Sequence, residues 1–259
     1  MAVDGVDWCA LLAVALAAGW LDAVVGGGGL VQVPALMVLL PTAPMATLLG
    51  TNKLVAITGT SSAALTYARR VGLDGAGTVR AALIGIPTSL LGAMTASYLP
   101  EGVFLPAVLV TLLAVGVWGL FGAGVAQGRT PDGPGERPRR PGRRALAAVA
   151  VIGYYSGAIG SGTGVLLVAL FTATLGTGFL KGSATAKAVS VGTDLGALVL
   201  FASLGHVLWA TGAAMALANI TGGAIGARTA IRRGAGFVRA ALLCTVVALV
   251  TKLALDHWA

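Results

Sequence analysis

The chain has 259 residues, 57% of them hydrophobic and only 10% charged, with a mean hydropathy of +0.91, whereas soluble domains carry about 25% charged residues. That balance cannot coat a globule with polar surface, so it excludes a water-soluble globular class and makes the lipid bilayer the solvent. The formal charge of +8 does not point to nucleic acid, because Arg129, Arg137, Arg139, Arg140, Arg143 and Arg144 cluster in one short polar stretch and no basic surface with interleaved aromatics accompanies them.

The first apolar run, Trp8 to Val25, follows Asp4 and Asp7 and lacks the basic flank of a secretory signal. It is expected to be retained, with the N-terminus outside the cytoplasm. Apolar segments follow at approximately 30–41, 51–68, 77–99 and 103–125. Gln127 to Arg144, rich in Pro, Gly and Arg, is the least hydrophobic stretch and reads as a cytoplasmic linker under the positive-inside rule. Five more apolar segments succeed it, at 145–160, 163–175, 184–205, 208–231 and 236–256. The expected organisation is a transmembrane repeat over 1–126, a linker over 127–144 and a second transmembrane repeat over 145–259.

The halves match at one constant displacement. Gly19 aligns with Gly153, Gly26 with Gly160, Gly28 with Gly162, Thr51 with Thr185, Lys53 with Lys187, and Gly92-Ala93 with Gly226-Ala227, every pair 134 residues apart. Such self-similarity marks an internal repeat. Five segments per half is an odd number, so the second repeat is expected to enter the membrane inverted. Arg69, Arg70 and Arg80 flank one loop, the arginine-rich linker forms a second basic site, and Arg232, Arg233 and Arg239 flank a third. An even number of crossings separates each from the next, so all three fit the cytoplasmic side. The fold class is therefore an all-α, polytopic helical bundle of two inverted repeats, a transporter architecture with its site near the midplane.

The second segment of each half is short. About 12 residues at ~1.5 Å each reach ~18 Å, against a ~30 Å hydrocarbon core. These segments read as broken or re-entrant helices after glycine-rich turns, Gly26-Gly27-Gly28-Gly29 and Gly160-Ser161-Gly162-Thr163-Gly164. Irregular backbone at membrane depth needs cover from protein or a watery cavity. Glycine turns at helix N-termini, near Leu30 and Val165, outline an anion site; equally, they let helices pack closely. Neither run completes a dinucleotide or Walker motif.

Lys53 and Lys187 occupy the same place in their repeats, each near the start of an apolar segment. A lysine in the hydrocarbon costs about 2.5 to 3.5 kcal/mol on insertion scales, unless it snorkels to the interface. A symmetric pair beside glycine turns favours a cationic lining for an anion. Asp22 and Asp194 are the carboxylates of the same region, as proton-coupling groups or as charge compensation for the lysines. Gln32, Thr51, Asn52, Thr185 and Asn219 add uncharged hydrogen-bonding groups, of a kind that usually ties helices together. Pro34 and Pro87 are expected to kink or start helices, and Trp20, Trp209 and Trp258 to anchor at the interface or pack. Cys9 and Cys244 sit in apolar runs and read as small buried hydrophobes. With His206 and His257 unaccompanied, no ligand set for a metal is visible, and no cofactor is implied.

Gly19-Trp20-Leu21-Asp22, the four-glycine run, Pro34-Ala35-Leu36 and Gly50-Thr51-Asn52-Lys53-Leu54 resemble the N-terminal signature of the sulfite exporter TauE/SafE family. Gly153-Tyr154-Tyr155-Ser156-Gly157, Gly160 to Gly164, Thr185-Ala186-Lys187, Gly205-His206-Val207 and Gly222-Gly223-x-x-Gly226-Ala227-Arg228 are similar to its second half. The resemblance covers nearly the whole chain except the linker. It implies a bacterial-type membrane transporter of small sulfur-containing anions such as sulfite, thiosulfate or organosulfonates, while the charge pattern points to the inner membrane. Two positions depart from the family pattern: Ser156 stands where many relatives carry an acid, and Leu208 where an Asp often precedes Trp209. If those acids couple transport to protons, the role falls here on Asp22 or Asp194, or coupling is absent.

The functional expectation is alternating access to a central site lined by Gly26 to Gly29, Thr51, Asn52, Lys53, Gly160, Ser161, Gly162, Thr163, Thr185 and Lys187, with both chain termini outside. An intramembrane enzyme would need a nucleophile with a base or a metal set, and none is visible. A non-transporting membrane sensor or assembly subunit is the rival.

Overall fold

The computed structural model describes residues 7–73, 75–96, 98, 102, 106, 110, 141–175 and 179–258. Segment 103–125, apart from two residues, and the linker as far as Arg140 therefore lie outside the described residues, as does Asp4. The described residues are helical, with no strand among them.

Helix α1, Trp8–Val25, starts at Asp7, whose Oδ1 accepts a hydrogen bond from Ala10 N at 3.0 Å, so one orphan donor of the first turn is satisfied. It ends at Gly26, whose φ of 92° reverses the chain. Helix α2, Gly28–Leu39, has 12 residues and carries Pro34 inside it. Helix α3 is Met45–Val71 and helix α4 is Gly75–Ala96, with Pro87 inside. Helices α5, Arg143–Ala158, α6, Thr163–Leu175, and α7, Phe179–Ser203, follow. Helix α8, Trp209–Trp258, is interrupted by non-helical Gly234 at φ 75°, in the gap expected between segments 208–231 and 236–256.

Two boundaries differ from the sequence expectation for one reason. Helix α3 begins six residues before the expected Thr51 and α7 five before Ala184. Gly50 and Gly182 lie inside those helices as packing residues: a Cβ on Gly50 would strike the carbonyl of His206, and one on Gly182 would meet Thr172. Small residues of this kind let membrane helices approach.

Helices α1, α4 and α7 are long and apolar enough to cross a bilayer, while α2 and α6 are apolar but shorter. Leu83, Leu91, Val151, Val199 and Leu217 each expose more than half of their surface. Such an outward apolar face is built for lipid tails rather than water. Cys9 and Cys244 belong to that outside, because both are exposed, which corrects the expectation that they are buried. In a membrane protein an apolar stretch has lipid as well as core to face, so apolar neighbours do not imply burial. Trp209 is exposed, while Trp20 packs edge-on against Phe237 at 6.2 Å between ring centroids.

The packing crosses the sequence halves. Helix α8 packs on α1 and α3, α4 packs on α5 and α7, and α3 and α7 pack on each other. Short α2 contacts α1 and α3, and short α6 contacts α5 and α7. The result is two groups of helices, α1–α2–α3–α8 and α4–α5–α6–α7, each of which takes its long fourth helix from the other half of the chain. Individual contacts recur: Gly92 abuts the carbonyl of Tyr154, and Gly226 abuts the carbonyl of Trp20, the same two positions displaced by 134 residues in opposite directions.

Candidate functional site

The centre of the molecule is where the two glycine turns meet. A Cβ on Gly26 would fall on the backbone of Gly164 and Val165, and a Cβ on Gly164 on the backbone of Gly26. Gly29 faces the carbonyl of Gly160, and Ser161 Oγ donates to Gly29 O at 3.4 Å. Positive φ at Gly26 (92°), Gly160 (78°) and Gly162 (77°) turns the chain out of α1 and α5 and into the short helices. Both the reversed backbone and the contact exclude a side chain at Gly26. Gly27 caps α2 with no side-chain hydrogen bond, so the first N–H groups of α2, from Gly28 onward, lack a side-chain cap. The turns thus do join, and their glycines serve close packing at the same time.

Both lysines point into this centre. Lys53, on α3 and 2% exposed, donates from Nζ to Asp194 Oδ1 on α7 at 2.8 Å and to Ser156 Oγ on α5 at 3.0 Å. Lys187, on α7 and 1% exposed, donates to Asp22 Oδ2 on α1 at 2.9 Å and also to the Asp22 carbonyl. Neither lysine snorkels. The two ion pairs cross in opposite senses between the helix groups, and their four formal charges cancel. Each ammonium also lies at the C-terminal end of a helix, Lys187 at α1 and Lys53 beside Gly160 after α5, where the helix dipole favours a cation.

Hydroxyls complete the ring. Thr60 Oγ1 donates to Asp22 Oδ2 at 3.0 Å, and Ser156 Oγ donates to Thr193 Oγ1 at 3.4 Å. On α7, Ser183, Lys187, Ser190 and Asp194 are all buried and recur at the spacing of one helical face. Among the described residues, Ser183 Oγ and Ser190 Oγ have no hydrogen-bond partner, and neither does Thr163 Oγ1 at the start of α6. Ser190, between Lys187 and Asp194 on that face, is thus a buried hydroxyl available to a polar guest.

Of the residues expected from sequence, Asp22, Lys53, Lys187, Asp194 and both glycine turns with Ser161 come together here. Thr51 is engaged elsewhere: its hydroxyl donates to Thr47 O at 2.7 Å and accepts from Leu208 N at 3.0 Å. Thr185 is buried on α7 two residues from Lys187, on a different face. Asn52 is buried beside Lys53 with Oδ1 unpartnered. Asn219 Nδ2 bonds Ala15 O at 2.8 Å and Gln32 Oε1 at 3.3 Å, which ties α8 to α1 and α2. Sequence reasoning missed Thr60 and Thr193 as part of the centre, and Ser190 on the α7 face between its charges. The repeat offset held a signal for one of them, because Thr60 stands 134 residues before Asp194, as Ser156 stands 134 after Asp22.

A "Probable membrane transporter protein ORF9" of a Sinorhizobium species is 33% identical to this chain over 246 residues, covering 95% of this chain and 92% of that one. A "Probable membrane transporter protein" of Haemophilus influenzae is 29% identical over 257 residues, with 98% and 97% covered. The "Probable membrane transporter protein YfcA" of Escherichia coli K12 is 30% identical over 260 residues, with 96% and 92% covered. No solved structure matches the chain. The family model described as sulfite exporter TauE/SafE matches residues 11–253, and with relatives of this similarity along their full length the chain belongs to that family of membrane transporters.

Proposed function

We propose that the protein carries small sulfur-containing anions, such as sulfite, thiosulfate or simple sulfonates, across the inner membrane by alternating access around the joined glycine turns. The observation that carries this reading is the pair of lysine–carboxylate contacts, Lys53–Asp194 and Lys187–Asp22, made by two buried lysines, that join the two helix groups beside those turns. A buried ion pair is poor value as a stabilising device, since well-packed apolar residues do as well or better. Ionisable groups within a membrane accordingly mark transport pathways. When an anion displaces a carboxylate, or a proton neutralises it, the freed ammonium becomes the ligand. Asp22 and Asp194 are therefore the groups through which protons couple to transport. Gly26 to Gly29, Asn52, Gly160 to Gly162 and Thr163 line the same centre, and the two repeats rock in inverted orientation about it. The arginine-rich linker faces the cytoplasm and both termini face outward.

The test is counterflow of labelled sulfite, thiosulfate and a simple sulfonate in proteoliposomes, with wild type, Lys53→Ala, Lys187→Ala and the double variant. Saturable flux of one of these anions, lost in folded double variant, is the expected result. A folded wild type that moves none of them overturns the substrate assignment and turns attention to the sensor reading.

A further inference from the structure

The two lysine centres are alike position by position but not residue by residue. Around Lys53 stand Ser156 on α5 and Asp194 on α7; around Lys187 stand Asp22 on α1 and, hydrogen-bonded to the same Asp22 oxygen that the lysine contacts, Thr60 on α3. Lys53 and Lys187, Asp22 and Ser156, and Thr60 and Asp194 are each 134 residues apart. Each centre thus has two seats. One, at 22 or 156, closes the last turn before a glycine turn; the other, at 60 or 194, lies seven residues beyond the lysine of its own helix. In each centre one seat holds a carboxylate and the other a hydroxyl, and the assignment is reversed between the two.

We infer that each lysine requires one carboxylate at either of its two seats, so that acid and hydroxyl are interchangeable within a centre. The geometry at Lys53 carries this. Its Nζ already touches both seats, at 3.0 Å from Ser156 Oγ and 2.8 Å from Asp194 Oδ1, so an acid moved to 156 meets the same ammonium. The Lys187 centre already has that arrangement, an acid in the one seat and a threonine in the other. Charge explains the constraint: with no carboxylate a buried ammonium is left uncompensated, and with two an extra anion is. The transport arm of the inference rests on the function proposed above; the charge-balance arm does not.

The experiment makes the first centre a copy of the second. Asp194→Thr, Ser156→Asp and the double variant are compared with wild type by thermal unfolding in detergent and by anion counterflow. Each single variant is expected to melt on the order of 10 °C lower and to lose flux. The double variant is expected to melt within about 3 °C of wild type and to recover at least half of the flux. A double variant as damaged as Asp194→Thr overturns the inference, and so does one that melts normally without flux while wild type transports, since position rather than charge would then be used. The reciprocal exchange, Asp22→Ser with Thr60→Asp, decides the matter where Ser156→Asp prevents folding. If wild type moves none of the anions, the transport reading fails by itself and the melting series alone decides the seats.

Discussion

Lys53 Nζ stands 2.8 Å from Asp194 Oδ1 with the two side chains 2% and 11% exposed, which makes this contact a sealed ionic joint between α3 and α7. Removing one partner strands a buried charge, a loss of about 3–5 kcal/mol in comparable pairs, whereas replacing both with apolar residues is often neutral. Lys53→Met and Asp194→Leu alone are therefore expected to lower the unfolding temperature sharply, and together to recover most of it. Transport is expected to be absent from all three. Melting curves beside counterflow separate the two effects; a double variant that transports would remove Lys53 from the substrate path.

The meeting of Gly26 with Gly164 tolerates no side chain. Alanine at Gly26 combines a collision with backbone atoms and a left-handed φ of 92°, so Gly26→Ala is expected to abolish folded protein in size-exclusion chromatography. Gly75→Ala is the control. Among the described residues nothing lies within 4 Å of a Cβ there, and Gly75 only opens α4, so this variant is expected to be near neutral.

How much of this was legible beforehand follows from what kind of information each feature carries. The helices, the glycine turns and the lysine pair are local or periodic, and the offset between Lys53 and Lys187 made them visible. The partners of the lysines were not. Lys187 and Asp194 share a helix face, which suggests a pair, yet each reaches across to another helix, Lys187 to Asp22 and Lys53 to Asp194. Pairing across helices depends on α3 and α7, one from each half of the chain, packing on each other, and nothing in hydropathy specifies that. The early starts of α3 and α7 are illegible for a related reason: a glycine such as Gly50 or Gly182 can break a helix in water yet permits close contact in a membrane bundle.

Thr51 holds the entrance to α8 rather than the lysine centre. It supplies the acceptor for Leu208 N at 3.0 Å while donating to Thr47 O. Thr51→Val leaves that amide unsatisfied, a cost of about 1–3 kcal/mol, and is expected to lower the melting temperature without altering the apparent affinity for the transported anion. Thr51→Ser keeps both bonds and is expected to behave as wild type. A change in affinity with either variant would place Thr51 at the substrate.

Ser190 offers the cleanest separation of binding from stability. It lies on α7 three residues past Lys187 and four before Asp194, buried at 6% exposure with its Oγ unpartnered. A buried hydroxyl without a partner contributes desolvation cost and no bond, so Ser190→Ala is expected to leave the unfolding temperature unchanged or raise it. If an anion released between the two ion pairs takes a hydrogen bond from that hydroxyl, its loss removes about 1.5–3 kcal/mol, the range for bonds to charged groups, and KM rises by roughly 10- to 100-fold. Counterflow at graded substrate concentration measures this directly. An unchanged KM in a normally folded Ser190→Ala protein would confine the substrate to the glycine turns and leave the α7 face as a structural feature.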